Sequence, residues 1–258
     1  MPQNDTMTTV PPPITREELD AIDATQWQAV LQADAVLAAR WMSAAARLGH
    51  AEAQAALGQW CLDAHGLARD EVQALHWFQC AAQQGHGMAM NMMGRCHEQG
   101  WGTVADAGKA ASWYRAALAS DLPEARYNLA NLLASGHGVA QDHAQAFALY
   151  RQAADQGYAK AFAKLGRYFE DGLVVPRDLA EARRCYRRGA EGGDFRGQFC
   201  HAGMLSAEGR HAEALRWLHK VSEGATPRYL REVGALLLQA TRPEYRALGQ
   251  GMLEKAAP

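Results

Sequence analysis

Apolar side chains recur along this chain at steps of four, three, one, three and one, and the same ladder returns about every thirty-six residues. From Asp70, the positions Ala74, Trp77, Phe78, Ala81 and Ala82 fall on one stripe of an α-helix, which ends at Gly85. Ala89, Met93 and Gly94 carry the apolar spacing onto a second helix that closes near Gly100 and Gly102. A polar loop leads to Asp106 and the next copy. Each copy is therefore predicted to be a helix–turn–helix.

The other copies keep the same positions with small edits. Asp34, Asp70, Asp106, Asp142 and Asp178 stand where an N-cap belongs, accepting free backbone N–H groups at the positive end of the helix. Trp41, Trp77 and Trp113 share one position, followed by Met42, Phe78 and Tyr114; Tyr150 and Tyr186 continue that second row. Small residues at one site let two helix backbones approach, and the aromatics fill the gap to the next unit. Trp77, Trp113, Tyr114, Tyr150 and Tyr186 are accordingly assigned to the core. Alanine dominates the apolar share and β-branched residues are sparse, which favours packed helices over sheet.

The ends differ. Residues 1–13 are polar and proline-rich and read as a disordered tail. Residues 14–33 read as a helical cap, with Thr15 and Glu18 spaced as a capping box. Repeats then start near 34, 70, 106, 142, 178 and 210, about six in all, and residues 243–258 form a final capping helix. After the fifth unit the register shortens by four residues. Thr226 and Pro227 supply an N-cap and first-turn proline for the second helix of the last unit. Units of this kind cannot bury their apolar faces alone, so capping ends are required.

Stretches such as SWYRAALASDLPEARYNLANLLASGHGVAQD (112–142) and LYRQAADQGYAKAFAKLGRYFEDGLVVPRD (149–178) resemble Sel-one-like repeats, a subclass of tetratricopeptide-like units. The shared pattern is alanine, two residues, Trp-Tyr, paired alanines, glycine, and A-x-x-x-L-G on the second helix. It covers roughly residues 34–240. The resemblance implies an all-α, right-handed α-solenoid that acts as a non-enzymatic protein-binding adaptor, with its partner on the concave face. Two positions depart from the pattern: His201 replaces a leucine of the second helix, and Asp121 replaces the turn glycine.

Net charge is −2, too small to point to nucleic acid or an acidic membrane surface. Residues 1–176 carry 12 basic and 18 acidic side chains, whereas 177–258 carry 14 and 10, an asymmetry that reads as variation on solvated faces. The five cysteines, Cys61, Cys80, Cys96, Cys185 and Cys200, do not form a repeating pair, which argues against a disulfide framework. With no secretory signal pattern and no apolar stretch long enough for a membrane, the expected place is the cytoplasm.

The best candidate binding residues are the exposed ones two steps after each tryptophan position: Gln79, Arg115, Arg151 and Arg187, with His219 next after the register shift. Guanidinium groups at regular intervals suit an acidic, extended peptide or protein held by paired hydrogen bonds. The row one step before, Arg40, His76, Ser112, Ala148 and Arg184, is chemically mixed. Cys61-x3-His65 and His76-x3-Cys80 are spaced as metal ligands, but antiparallel helices would put His65 and Cys80 on opposite sides of the shared level. Cys185 and Cys200 flank the Gly193 turn at similar distances, so a bridge is conceivable in an oxidising compartment. No phosphate loop, nucleophile elbow or H-E-x-x-H appears. The reading is thus a monomeric adaptor with no catalytic residue, cofactor or metal. A metal-handling or enzymatic repeat protein, or one that self-associates, stands as the alternative.

Overall fold

The computed structural model describes residues 13–257. Among them lie fifteen α-helices, one short 3-10 turn and no strand. The chain divides into two compact units at Leu122 and Pro123. The predicted tail falls almost wholly outside the described residues.

The N-terminal unit contains α1 (Arg16–Ala21), α2 (Ala24–Gln32), α3 (Ala35–Arg47), α4 (Ala51–Asp63), α5 (Glu71–Gln83), α6 (Gly87–Gln99) and α7 (Ala107–Ala117). Thr15 and Glu18 form the expected capping box, and Asp23 with Gln26 forms a second. Asp34, Asp70 and Asp106 cap α3, α5 and α7, each side chain accepting a first-turn N–H. The caps are tied down from behind as well. The Asp70 N–H donates to the Cys61 carbonyl at 2.9 Å and the Asp106 N–H to that of His97 at 2.7 Å, so the loop after each second helix closes onto it.

The C-terminal unit contains α8 (Pro123–Ser135), α9 (His143–Asp155), α10 (Ala159–Asp171), α11 (Leu179–Glu191), α12 (Phe195–Ala207), α13 (His211–Gly224), α14 (Pro227–Leu238) and α15 (Pro243–Lys255). Asp142 and Asp178 repeat the cap and the tie, through the Leu133 and Phe169 carbonyls. Thr226 caps α14 with Pro227 in its first turn, as expected.

The glycine turns work through positive φ: Gly85 at 83°, Gly157 at 83° and Gly193 at 85°. Asp121 takes the same left-handed conformation at 56°, which short polar side chains tolerate. It thus does the glycine's work, and Pro123 opens α8 two residues later.

Helix-to-helix packing rests on a glycine under an aromatic ring. A Cβ on Gly94 would come within 2.4 Å of the Tyr114 ring, and one on Gly166 within 2.4 Å of Tyr186; Gly58 lies likewise under Phe78. Tyr114, Tyr150, Tyr186 and Phe78 are all but inaccessible to solvent. Trp77 and Trp113, also assigned to the core, are only half-buried against it. They sit one residue, or about 100°, before the ring that faces inward, so they close the edge of the core instead of filling it.

Polar tips follow the same logic. The Tyr114 hydroxyl donates to Glu98 at 2.6 Å and that of Tyr186 to Glu170 at 2.5 Å, each glutamate four residues after the facing glycine. Phe78 has no hydroxyl, and the position matching Glu98 is Leu62. Where Ala130 and Ala134 occupy the glycine and glutamate positions, Tyr150 bonds Asn131 instead, at 2.8 Å.

Candidate interaction surface

The five predicted binding residues each follow an inward-facing core residue, and this sets their direction. Gln79 on α5 and Arg115 on α7 are exposed in the N-terminal unit. Arg151 on α9, Arg187 on α11 and His219 on α13 are exposed in the C-terminal unit. Arg187 lies 3.9 Å from Glu191, a surface pair of little energetic weight. In the mixed row, Arg184 is held by Glu181 and His76 lies 3.7 Å from the Cys80 thiol.

Within the C-terminal unit, α9 and α11 flank a cleft of about 450 Å³ with α10 as its floor. Phe162, Leu165 and Phe169 supply the apolar base, and Phe147, Arg151 and Arg188 line its sides. The Arg188 guanidinium lies 4.2 Å above the Phe162 ring, a cation–π contact that holds it against the aromatic floor. Asp155, Asp178 and Glu181 also line the cleft, so both signs of charge meet at an aromatic floor. Of the predicted row, only Arg151 lines this cleft. Arg188 and Phe147 were not singled out from sequence, although Glu181, Cys185 and Arg188 share one stripe at steps of four and three.

Two clefts lie in the N-terminal unit. One, of about 430 Å³, is bounded by Leu19, Trp27, Met42 and Ala53, with His50 and Glu52 at its rim. The other, of about 350 Å³, runs from Ile14 to Arg40, Ser43 and Leu67.

The thiols are set up for packing. Cys185 and Cys200 are free, and burial pushes both up to about 11, so they stay protonated at neutral pH. Cys61 is raised by burial and then by the Asp70 carboxylate, the opposite of what a metal ligand needs. His65 packs on Trp60 with ring centroids 4.7 Å apart. Among the described residues, no group of three or more His, Cys, Asp or Glu side chains is arranged to hold a metal ion. No helix among them is long and apolar enough to cross a membrane.

His201 is buried against Trp217, with its Nδ1 unpartnered, and burial pushes its pKa down. Asp194 caps α12 by accepting the Gly197 N–H at 2.8 Å. Its other oxygen has no partner, and burial raises its pKa. A polar cluster not anticipated from sequence joins α12, α13 and α15: Tyr245 donates to Ser206 at 3.1 Å and lies 3.2 Å from His211 Nδ1.

The Sel1 repeat matches residues 28–50, 51–86, 87–121, 123–158 and 159–194. Solved structures carry the same arrangement. The Sel1 repeat protein from Oxalobacter formigenes is similar over 91% of this chain and 100% of its own, at 22% identity and a TM-score of 0.75. The protein c5321, a protective antigen of uropathogenic Escherichia coli strains displaying an SLR fold, is 27% identical with a TM-score of 0.66. The match covers 90% of this chain but only 52% of c5321. Immunity protein Pa5087 from Pseudomonas aeruginosa aligns at 16% identity over 77% of this chain and 78% of its own, with a TM-score of 0.53, a likeness of fold. No curated protein matches the sequence. The chain is an all-α helical-repeat solenoid and belongs to the Sel1 repeat family, whose members are generally protein-interaction scaffolds.

Proposed function

We propose that this protein is a non-enzymatic adaptor that holds an extended, acidic segment of a protein partner along the first helices of its repeats. In the C-terminal unit that segment occupies the cleft between α9 and α11. The observation that carries this reading is the cleft itself: an aromatic floor of Phe162 and Phe169, with Arg151 and Arg188 on its walls, and with two of its three carboxylates engaged elsewhere, Asp178 in the α11 cap and Glu181 by Arg184. An apolar anchor side chain buries against the floor, while the guanidiniums pair with flanking carboxylates or backbone carbonyls. Arg187 and His219 extend the contact within this unit, and Gln79 and Arg115 offer a second stretch in the other.

The side chains that make the cleft stand on packed helices, so little ordering entropy is lost on binding. The protein acts as a cytoplasmic monomer on this reading. A photo-crosslinking side chain placed at Arg151 in the native organism should capture a discrete partner. Arg188→Glu with Phe147→Ala should abolish capture while the melting temperature stays within a few degrees. Undiminished capture by that variant, or capture equally efficient from an exposed α15 position, would remove the cleft from the mechanism.

A further inference from the structure

The second helices of the C-terminal unit carry a group of cations away from the α9–α11 cleft. Lys160, Lys164 and Arg167 lie at steps of four and three along one face of α10. The neighbouring α12 presents Arg196 at the position equivalent to Lys160. Arg196 stacks over Phe195 at 4.8 Å and over Tyr229 of α14 at 5.4 Å, so its guanidinium is spread on an aromatic bed and fixed in place.

Several basic side chains of this unit are already matched by carboxylates. Arg183 pairs with Glu208, Arg184 with Glu181, Arg210 with Glu213 and Arg228 with Glu232. Lys160, Lys164 and Arg196 form no ion pair among the described residues, and Arg167 has only an exposed contact to Asp171 at 3.3 Å. Asp194 also lies within electrostatic reach of Lys160, Lys164 and Arg196, but it is buried, it caps α12, and burial disfavours its charged form. Lys164 is half-buried, so its ammonium is partly stripped of water beside two guanidinium groups. Cations gathered with so little compensation carry a standing electrostatic cost that an incoming anion relieves. The balance of the whole unit agrees in sign: residues 123–258 hold 19 basic and 15 acidic side chains, against 7 and 13 in residues 1–122.

We infer that the α10–α12 face is a second docking surface, which takes a carboxylate-rich segment of a protein partner through Lys160, Lys164, Arg167 and Arg196. An extended acidic chain suits it better than a compact anion. The cations form a strip along α10 and across to α12, and the Phe195 and Tyr229 rings offer flat apolar surface beside it.

Fluorescence anisotropy of the full chain with a fluorescein-labelled oligoglutamate peptide tests this, with oligoglutamine and a single-stranded oligonucleotide as comparison probes. Oligoglutamate should bind, oligoglutamine should not, and affinity should fall as salt rises. Lys160→Glu with Arg196→Glu should weaken binding by roughly tenfold or more. Arg216→Glu with Arg242→Glu, the same charge change elsewhere in the unit, should weaken it less than about threefold. Lys164→Met separates function from structure: it keeps the apolar stem, so the melting temperature should rise while peptide affinity falls. Equal loss from both charge-reversal pairs, tighter binding of the oligonucleotide than of oligoglutamate, or a Lys164→Met variant that melts lower with unchanged affinity would each overturn the inference. With Arg188→Glu present in every arm to remove the cleft's own share of the peptide, Lys160→Glu with Arg196→Glu should still weaken binding by roughly tenfold, so failure of the α9–α11 cleft reading and failure of this one are told apart.

Discussion

Replacing Tyr114 by Phe and Glu98 by Leu, singly and together, probes how neighbouring repeats are joined. Tyr114 is fully buried, with its hydroxyl 2.6 Å from Glu98. A hydrogen bond to a charged group is worth about 1.5–3 kcal/mol, and Glu98 is only half-buried, so water partly replaces the lost donor. Tyr114→Phe should therefore cost about 1.5 kcal/mol, near the lower end. Glu98→Leu instead strands a phenol hydroxyl away from solvent, a penalty of about 1–3 kcal/mol. That loss is reduced by a few tenths because a carboxylate leaves the negative end of α6. The double variant rebuilds the pair one repeat earlier, where Phe78 lies over Gly58 and Leu62 stands at the glutamate position in the same core cluster. No polar group is then left without a partner. Urea unfolding should show each single variant losing about 1.5–2 kcal/mol and the double losing under about 1 kcal/mol, a coupling of roughly 2–3 kcal/mol at unchanged m-value. A double variant that loses the full sum of the singles would refute the claim that this hydroxyl and carboxylate act as one unit.

Gly166→Ala should destabilise by about 1–3 kcal/mol, because the new methyl meets the buried Tyr186 ring at 2.4 Å; Gly203→Ala, with nothing within 4 Å, should stabilise by about 0.5–1 kcal/mol, both read by chemical denaturation. Burial raises the folded pKa of Asp194, so its contribution to stability is complete below its ordinary value of 3.8 and is lost as pH rises through the folded value. Asp194→Asn, which keeps an oxygen for the Gly197 N–H, should then melt no lower than wild type at neutral pH, whereas Asp194→Ala should lose about 1 kcal/mol with the cap. His201 is shifted the other way: burial lowers its folded pKa, so its contribution is complete above about 6.5 and drains as pH falls below that value. Melting curves across this window should flatten in His201→Leu, with His97, also lowered by burial, supplying the slope that remains.

Helix ends were legible in the sequence because local chemistry decides them: an aspartate's oxygen caps Gln73, Lys109 or Gln145 from three residues away, with no need of the rest of the chain. The depth of burial was legible only to within one position. Trp77 and Phe78 are both large and apolar, and only the angle at which α5 meets Gly58 of α4 decides which goes fully inside. The exposed row was found because it follows that inward residue, but its chemistry was not. Arg187 and Arg188 are adjacent and identical in type, yet Arg188 lies over Phe162 in a cleft whose floor comes from the preceding helix, whereas Arg187 faces Glu191 at the surface. The same holds for the cations of α10 and α12. In sequence, Lys160 and Arg196 are thirty-six residues apart and look like two solvated charges. One repeat length is the spacing that places them at equivalent positions on neighbouring helices, so the period that announces the fold also gathers the charge. What the period leaves open is whether a carboxylate lies close enough to cancel it. That depends on side chains such as Asp194, which packing turns inward to cap its own helix, where burial disfavours the charge it would set against the cations around it.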